Sequence, residues 1–474
     1  MKTVDMLVKS PHLLTMEGEG VGYHQDTCMV VDKGRIVDFV PLEKADDAYK
    51  AEETIELSHH VVLPGLIDAH THLDISILRG MAQDISNWMF YGYQPFENAM
   101  SIEDTAASEK LGIMEAIRCG TTTIGEWPIG IEPACEFVYK SGIRGNLAET
   151  IRSMVEKIYG PNELFEFDAD KGRRSLEANI DAYEKWNDRD NGRIKILFGP
   201  LAIDFLDKEL LLRVRDEAKK RKAMIHMHLQ QDAREVWQCE VRNGKRPVEW
   251  LQELGLLDSS MIVVHLSHCT EEEAEIAGRS GAGMVVCPGS IGIIDGKVCP
   301  SVAFQRAGGN VGLGSDQAPG NNCHNIFNEM KLVALFNKIK YQDPEVMPCW
   351  KALRMATIEG ARAIGLGEDI GSLECGKKAD FIAVDLRQYT MEPVYMKPMR
   401  NIVPNLVYSA RGHEVALSCV DGKVIYRDGK ILTVDEEECL AELESRIDGI
   451  GGRAEKEFNE IAGPNYVYMQ EGKL

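Results

Sequence analysis

Over the middle of the chain, short apolar runs alternate with stretches of helical periodicity. Runs of strand length recur at VVLPGLIDAH (61–70), TTTIGEW (121–127), IRGNLAE (143–149), IKILFGP (194–200), AMIHMHL (223–229), MIVVHLSHC (261–269), GMVVCPG (283–289) and NVGLGSD (310–316). Nearly continuous apolar character over so few residues, ending in glycine, proline or a polar cluster, is the pattern of strands buried on both faces. The spacers include IEDTAASEKLGIMEAIRCG (102–120) and LDKELLLRVRDEAKKRK (206–222), whose apolar positions recur at helical spacing. Eight strands separated by helical or mixed segments predict a distorted (β/α)8 TIM barrel over residues 63–372. A doubly wound open sheet is the runner-up, and no glycine fingerprint supports it.

Both ends of the chain follow a different rhythm. MLVKSPHLLTM (6–16), CMVVDKGRIVDFV (28–40) and ETIELSHHVVL (53–63) are β-rich, with a hairpin turn at Asp32-Lys33-Gly34. Similar segments return at ADFIAVDL (379–386) and in VYSA…VALSCVDGKVIYRDGK (407–430), with a second turn at Asp421-Gly422. Residues 1–62 and 373–430 are therefore expected to form one small composite β-sandwich domain with the barrel inserted between them. After the eighth strand, helices are expected over about 325–340 and 349–365. The segment 431–474 reads as an appendage, helical through DEEECLAELESRIDGI and then irregular, packed on the outside or on a neighbouring subunit.

The polar residues that interrupt these apolar runs fall at the C-terminal ends of the strands, the face on which such barrels place their chemistry. His70 and His72 are two apart, so in a strand both face one point. His228 ends the fifth strand, His265 lies in the sixth and Asp316 ends the eighth. Four imidazoles and a carboxylate arriving at one face suit a divalent metal, zinc first, with iron, manganese or cobalt also accommodated. A metal there lowers the pKa of its water, and Asp316 is placed to accept and pass on the proton. His268, three residues after His265, is expected to face the substrate and polarise it or stabilise a developing oxyanion. His226 shares the strand face of His228 and is expected below the metal as a supporting or packed side chain. The fourth strand carries Lys195 near its start and no lysine at its end where a carbamylated bridge would sit, so one metal per subunit is expected.

Aromatic residues Trp88, Phe90, Tyr91, Tyr93, Phe96 and Trp127 lie in or near the first two loops that follow strands, a wall suited to a planar or aryl-bearing substrate. Gln317, Asn321, Asn322 and His324, after Asp316, are candidates for reading its far side, although such loops also need polar residues to turn.

Composition narrows the partners. The chain has 474 residues, with 53 Lys and Arg against 75 Asp and Glu, a net charge of -22. That balance disfavours a nucleic-acid backbone or an anionic membrane and leaves a small molecule as the expected partner. Twelve cysteines are scattered without a CxxC pair, which fits a reduced cytoplasmic enzyme better than a disulfide framework. No run approaches the length of a membrane span, and MKTVDMLVKSPHLLTMEGEG lacks the apolar core of a signal peptide. A homo-oligomer, dimer or tetramer, is expected.

VVLPGLIDAHTHLD, GTTTI, HMHL, VVHLSHC and GLGSD together resemble the amidohydrolase superfamily. SILRG…NWMF, MATIEGARAIGL, IGSLECGKKADFIAVDL and VDGKVIYRDG are similar to its branch of s-triazine hydrolases, among them atrazine chlorohydrolase, with guanine deaminase and related aminohydrolases. The resemblance runs over about residues 1–430. It implies His70, His72, His228 and Asp316 as ligands. In the sixth strand His265 and His268 could each claim that role; counting to the glutamate-rich helix start TEEEAE places His265 at the metal and His268 at the substrate.

One departure bears on the reaction. Deaminases of this branch carry a glutamate three residues after the fifth-strand histidine, which protonates a ring nitrogen. Here Gln231 stands there, and an amide can only donate or accept hydrogen bonds. Either the substrate has no such nitrogen or another acid serves, Asp232 or Glu235 being nearest; Asp232 reads equally as a helix N-cap. The loop CPGSIGIIDG, with Ile291 where the family often has asparagine, is also less polar. The expectation is a metal-dependent amidohydrolase cleaving a non-peptide C–N bond of a small urea, carbamate or amide with a partly apolar or aromatic group, for which phenylurea and molinate hydrolases are precedents. The alternative is a deaminase or chlorohydrolase of an s-triazine, purine or pyrimidine-like heterocycle.

Overall fold

The computed structural model describes residues 1–157, 159–160 and 162–474. Its centre is a curled parallel sheet whose strands are Leu66–His72, Thr121–Glu126, Arg144–Ile151, Ile194–Pro200, Ile225–Leu229, Met261–His265, Gly283–Val286 and Val311–Leu313. The expected eighth strand is divided. Val311–Leu313 pairs with the seventh strand, while Asp316–Gln317 pairs with the first through Asp316 opposite Thr71 and Gln317 opposite His72. Gly314 makes the break possible, since a Cβ there would lie 2.8 Å from the His70 carbonyl oxygen.

Alternate residues of these strands, Ile67, Ala69, Ala148, Leu197, Ile262, Val264, Val285 and Cys287, form one buried cluster with Ala361, Ile364, Leu366 and Ile370. The opposite faces join the surrounding helices in the main core, Met227, Leu229, Met261 and Val263 among them. This division places the barrel interior under the C-terminal strand ends. Helix starts on that face are fixed by side-chain caps: Ser101 and Asp104 form a capping box for Ile102–Arg118, as do Thr270 and Glu273 for Glu271–Arg279.

Strands from both chain ends join in a second sheet. Lys2–Leu14 pairs with Tyr23–Asp32 on one side and with Tyr49–Glu56 and His60–Pro64 on the other. Phe381–Asp385 closes onto His60–Pro64 and continues to Val415–Val420 and Lys423–Arg427. Both turns named above hold residues in the left-handed region, Lys33-Gly34 and Asp421-Gly422, as the tight hairpin requires. The two sheets are tied by Arg144 at the start of the third barrel strand, whose Nε lies 2.8 Å from Asp380 Oδ2 and whose Nη2 lies 2.8 Å from Asp421 Oδ1.

Two expectations need correction. The segment 349–365 forms two helices, Cys349–Met355 and Ile358–Ala363, with a break at Ala356-Thr357. The tail does not become irregular: it is helical over Glu436–Ile461 and Pro464–Gln470. The long helix continues through Gly449, Gly451 and Gly452 because it lies along the barrel's own helix Ile102–Arg118 and is held by Lys110–Glu442 at 2.6 Å and Arg453–Asp104 at 2.5 Å. Among the described residues no helix is long and apolar enough to cross a membrane.

Candidate functional site

Four histidines and Asp316 meet at the C-terminal end of the barrel. His70 Nε2 and His228 Nε2 are 3.2 Å apart, and His72 Nε2 and His228 Nε2 are 3.3 Å apart. Asp316 Oδ1 lies 3.6 Å from His70 Nε2 and 3.8 Å from His72 Nε2. His70, His265 and Asp316 have ligand atoms within 4.8 Å of one another, as do His70, His72 and His228. His70, His228, His265 and Asp316 are buried.

The local backbone explains how they converge. Pairing of the first strand with the second slips between Leu66 and Ile67 and again between Asp68 and Thr71, and such irregularities re-aim side chains. In the sixth strand Ile262 and Val264 face the interior, so alternation alone would turn His265 away. His265 instead has φ 75° and Asp316 φ 60°, a left-handed conformation in which residues other than glycine are uncommon and cluster at functional sites.

Hydrogen bonds set the tautomers in a way that suits a cation. His228 Nδ1 lies 2.9 Å from the Leu201 carbonyl oxygen; that oxygen accepts the Nδ1 proton and leaves a lone pair on Nε2. His70 Nδ1 pairs with His226 Nε2 at 3.0 Å, so His226 supports His70 from below, as its strand position predicts. Among the described residues both buried ring nitrogens of His265 have no partner. Lone pairs facing one another at hydrogen-bond distance, beside an unpartnered imidazole and a carboxylate, fit a divalent cation. Burial pushes the His70 and His228 imidazoles well below their ordinary value, and the neighbouring histidines add to it. Burial likewise takes His265 down to about 4. These rings are therefore neutral near pH 7, the state a metal ligand needs. Burial works to raise the Asp316 carboxyl, but the surrounding histidines and the Ser290 hydroxyl outweigh it and hold it below its usual value. Ser290 Oγ donates to Asp316 Oδ2 at 2.6 Å.

A second buried chain fixes the first and eighth strands relative to each other. Asp68 accepts from the Ser315 amide at 2.8 Å and from its hydroxyl at 2.5 Å. Ser315 Oγ lies 2.9 Å from His324 Nδ1, and His324 Nε2 lies 2.8 Å from Ser76 Oγ. His324 is thus fully engaged inside the protein, which corrects its expected place on the substrate. The Asn321 amide nitrogen is turned inward as well, its two N–H donors shared among the Ser315 and Cys323 carbonyls and Glu329, while among the described residues its Oδ1 has no partner. Gln317 caps the turn that follows, accepting from Gly320 N at 2.6 Å, while its Nε2 is buried without a partner. Asn322 ends that turn in the left-handed region.

The aromatic residues divide. Trp127 is buried and stacks on His228 with ring centroids 4.4 Å apart, its Nε1 donating to the Gly199 carbonyl. Trp88 packs against Tyr93 beside Ile77, Met81 and Phe96. Phe96 turns to Phe458 of the long C-terminal helix at 5.4 Å, so its expected place on a substrate wall is corrected; apolar packing under the tail claims it. Phe90 lies against Tyr91.

Gln231 is half-buried at the start of the loop after the fifth strand. Its backbone N–H donates to Glu235 Oε2 at 2.9 Å and its backbone carbonyl accepts from Ser267 Oγ at 2.6 Å. Asp232 is the N-cap of helix Ala233–Asn243, accepting from Glu235 N at 3.0 Å. Both neighbouring carboxylates therefore hold the backbone around Gln231, Asp232 through its cap and Glu235 through Oε2. His268 stands on the rim with Nδ1 3.2 Å from Lys297 Nζ. Sequence reasoning singled out neither Ser290 nor Lys297 for a role; Ser290 lies in the short helix Pro288–Ile294 after the seventh strand and Lys297 in the loop that follows it, where no spacing signal marks them.

Comparison with known proteins adds to this geometry. A model of the amidohydrolase family matches residues 61–425. A 5-methylthioadenosine/S-adenosylhomocysteine deaminase of Moorella thermoacetica is 32% identical over 444 residues, 93% of this chain and 99% of that one. A 5'-deoxyadenosine deaminase of Methanosarcina barkeri is 30% identical over 442 residues, 93% of this chain and 97% of that one. Among solved structures, an adenosine deaminase from Xanthomonas campestris with bound zinc superposes with a TM-score of 0.84 at 28% identity, covering 95% and 99% of the two chains. Atrazine chlorohydrolase from Arthrobacter aurescens TC1, complexed with zinc, shares the fold with a TM-score of 0.81 at 19% identity, covering 93% of this chain and 100% of that one.

Proposed function

Because the chain belongs to the amidohydrolase family and is a hydrolase acting on C–N bonds, we propose that it is a hydrolytic deaminase of a purine-like nucleoside. One observation carries the substrate class: relatives at 30–32% identity, aligned over nearly their whole length, bear the names of deaminases of adenosine derivatives. They support the heterocycle reading better than the urea, carbamate or amide reading that Gln231 favoured.

His70, His72, His228, His265 and Asp316 would hold one divalent metal, zinc first, since the adenosine deaminase that resembles this chain carries zinc. When bound, the metal supplies the Lewis acidity that makes water a nucleophile near neutral pH. Asp316, ionised and oriented by Ser290, accepts the proton of the attacking water and delivers it to the leaving amino group. His268 donates a hydrogen bond to the oxygen that enters the trigonal carbon. Trp127 holds His228 in place by stacking and forms a flat wall beside the reacting ring. Gln231 offers its side-chain amide N–H to a ring nitrogen, stabilising charge there without transferring a proton.

Gln231 is also the observation that keeps a second reading alive, hydrolysis of an open-chain urea, carbamate or amide. The test is a panel of adenine nucleosides, ureas, carbamates and amides assayed for free ammonia against free organic amine. Ammonia from an adenine nucleoside is expected. Gln231→Glu should raise that turnover about a hundredfold, the low side of what a positioned general acid contributes. Organic amine released from ureas or carbamates, with no ammonia from nucleosides, would overturn the deaminase reading.

A further inference from the structure

Lys297 lies in the loop between Pro288–Ile294 and Ser301–Arg306, on the rim of the site. Its ammonium is 3.2 Å from His268 Nδ1, and among the described residues that ring nitrogen is its one hydrogen-bond partner. An ammonium has three donors and no acceptor. A contact at this distance therefore requires a lone pair on Nδ1, and a neutral imidazole with its lone pair there carries its proton on Nε2.

The rest of His268 is held so that this choice matters. Its backbone N–H donates to the Gln230 carbonyl at 2.8 Å, and its own carbonyl accepts from Arg246 Nη2 at 2.8 Å. Arg246 is in turn clamped by Glu273, with Nε 2.8 Å from Oε1 and Nη2 3.0 Å from Oε2. With the backbone pinned on both sides and Nδ1 capped by Lys297, the free edge of the ring is Nε2.

We propose that Lys297 is a positioning residue that locks His268 as the neutral Nε2–H imidazole, so that His268 meets the substrate as a hydrogen-bond donor and not as a base. The proposal rests on the reading of His268 as the substrate-facing side chain. It divides the work of the site cleanly: a histidine that can only donate cannot take the proton of water, and that task falls to Asp316 alone. Most of the groups facing His268 act in one direction. Burial lowers its pKa most, Lys297 and Arg246 lower it further, and Asp232 opposes them. Asp295, two residues before Lys297, also feels both Lys297 and Asp232.

The test is nitrogen NMR of the zinc-loaded full-length protein labelled at histidine, with His268 assigned by its loss in His268→Gln. The wild type should show the Nε2–H tautomer near pH 8. In Lys297→Met the two tautomers should mix, and the titration midpoint of His268 should rise by about 1 pH unit, the effect of removing a like charge at this range. Lys297→Arg should restore both signatures; Lys297→Gln provides a second uncharged variant should the methionine substitution disturb the loop. A wild type in the Nδ1–H form, or Met and Gln variants with tautomer and midpoint unchanged, would overturn the assignment. No substrate enters these measurements, so a failure to deaminate nucleosides would remove the functional reading and leave this result standing.

Discussion

At the scale of the residue, the site rests on a distinction between two histidines three apart. His265 is buried and among the described residues both its ring nitrogens are unpartnered, which for an imidazole in an apolar interior calls for a ligand. His268 has its backbone and Nδ1 accounted for and lies on the rim. His265→Ala should therefore lose most of its metal after purification, while His268→Ala should keep a full complement and turn over at least tenfold more slowly. Metal content by atomic emission, measured beside activity, checks both halves; metal loss only in the His268 variant would exchange the roles. The convergence of His70, His72, His228 and Asp316 on one face is legible in the sequence because residue type and strand-end position coincide. His324 and Asn321 were misread because polar residues after a strand end look the same from sequence whether they face a ligand or brace a neighbouring strand. Only the partners decide, and here both brace the segment between Ser315 and Glu329.

At the scale of the element, the loop after the fifth strand shows how a structural duty and a chemical one compete for the same carboxylates. Asp232 caps helix Ala233–Asn243 and pairs with Arg234 at 3.1 Å. Glu235 reaches back to the Gln231 amide, so the two acids together set where Gln231 stands. Asp232→Ala should cost about 1 kcal/mol of stability, the usual loss of an N-cap, and leave metal content unchanged. A urea melt of the metal-loaded protein reads the first and emission spectroscopy the second; an undiminished melt with abolished turnover would instead make Asp232 the missing acid. Strand positions and most helices followed from periodicity. The divided eighth strand did not, since the break depends on Gly314 passing the His70 carbonyl, a tertiary contact. Nor did the long C-terminal helix, where packing on Ile102–Arg118 and the Phe96–Phe458 contact outweigh three glycines.

At the scale of the whole molecule, the candidate metal centre and the fold share a common dependence on proton concentration. The barrel gathers imidazoles into an interior that keeps them neutral: burial holds His265 at about 4 and His226 at about 3, against an ordinary 6.5. A group whose folded pKa lies below its unfolded value takes up a proton in the unfolded chain first. Its contribution to stability is therefore complete above about pH 6.5 and is lost as the pH falls toward the folded value. Chelator-stripped protein should accordingly lose thermal stability between about pH 6.5 and 4, by roughly 3 kcal/mol for a shift of the size seen at His265. Metal-loaded protein should hold its melting temperature to a lower pH and then fall more steeply, because protons displace the metal and its binding energy together. Melting curves with and without chelator across that range measure both. Coincident curves would mean that the cluster stores no metal-binding energy, and that the buried histidines, like the Arg144–Asp380 pair that joins the two sheets, serve the fold alone.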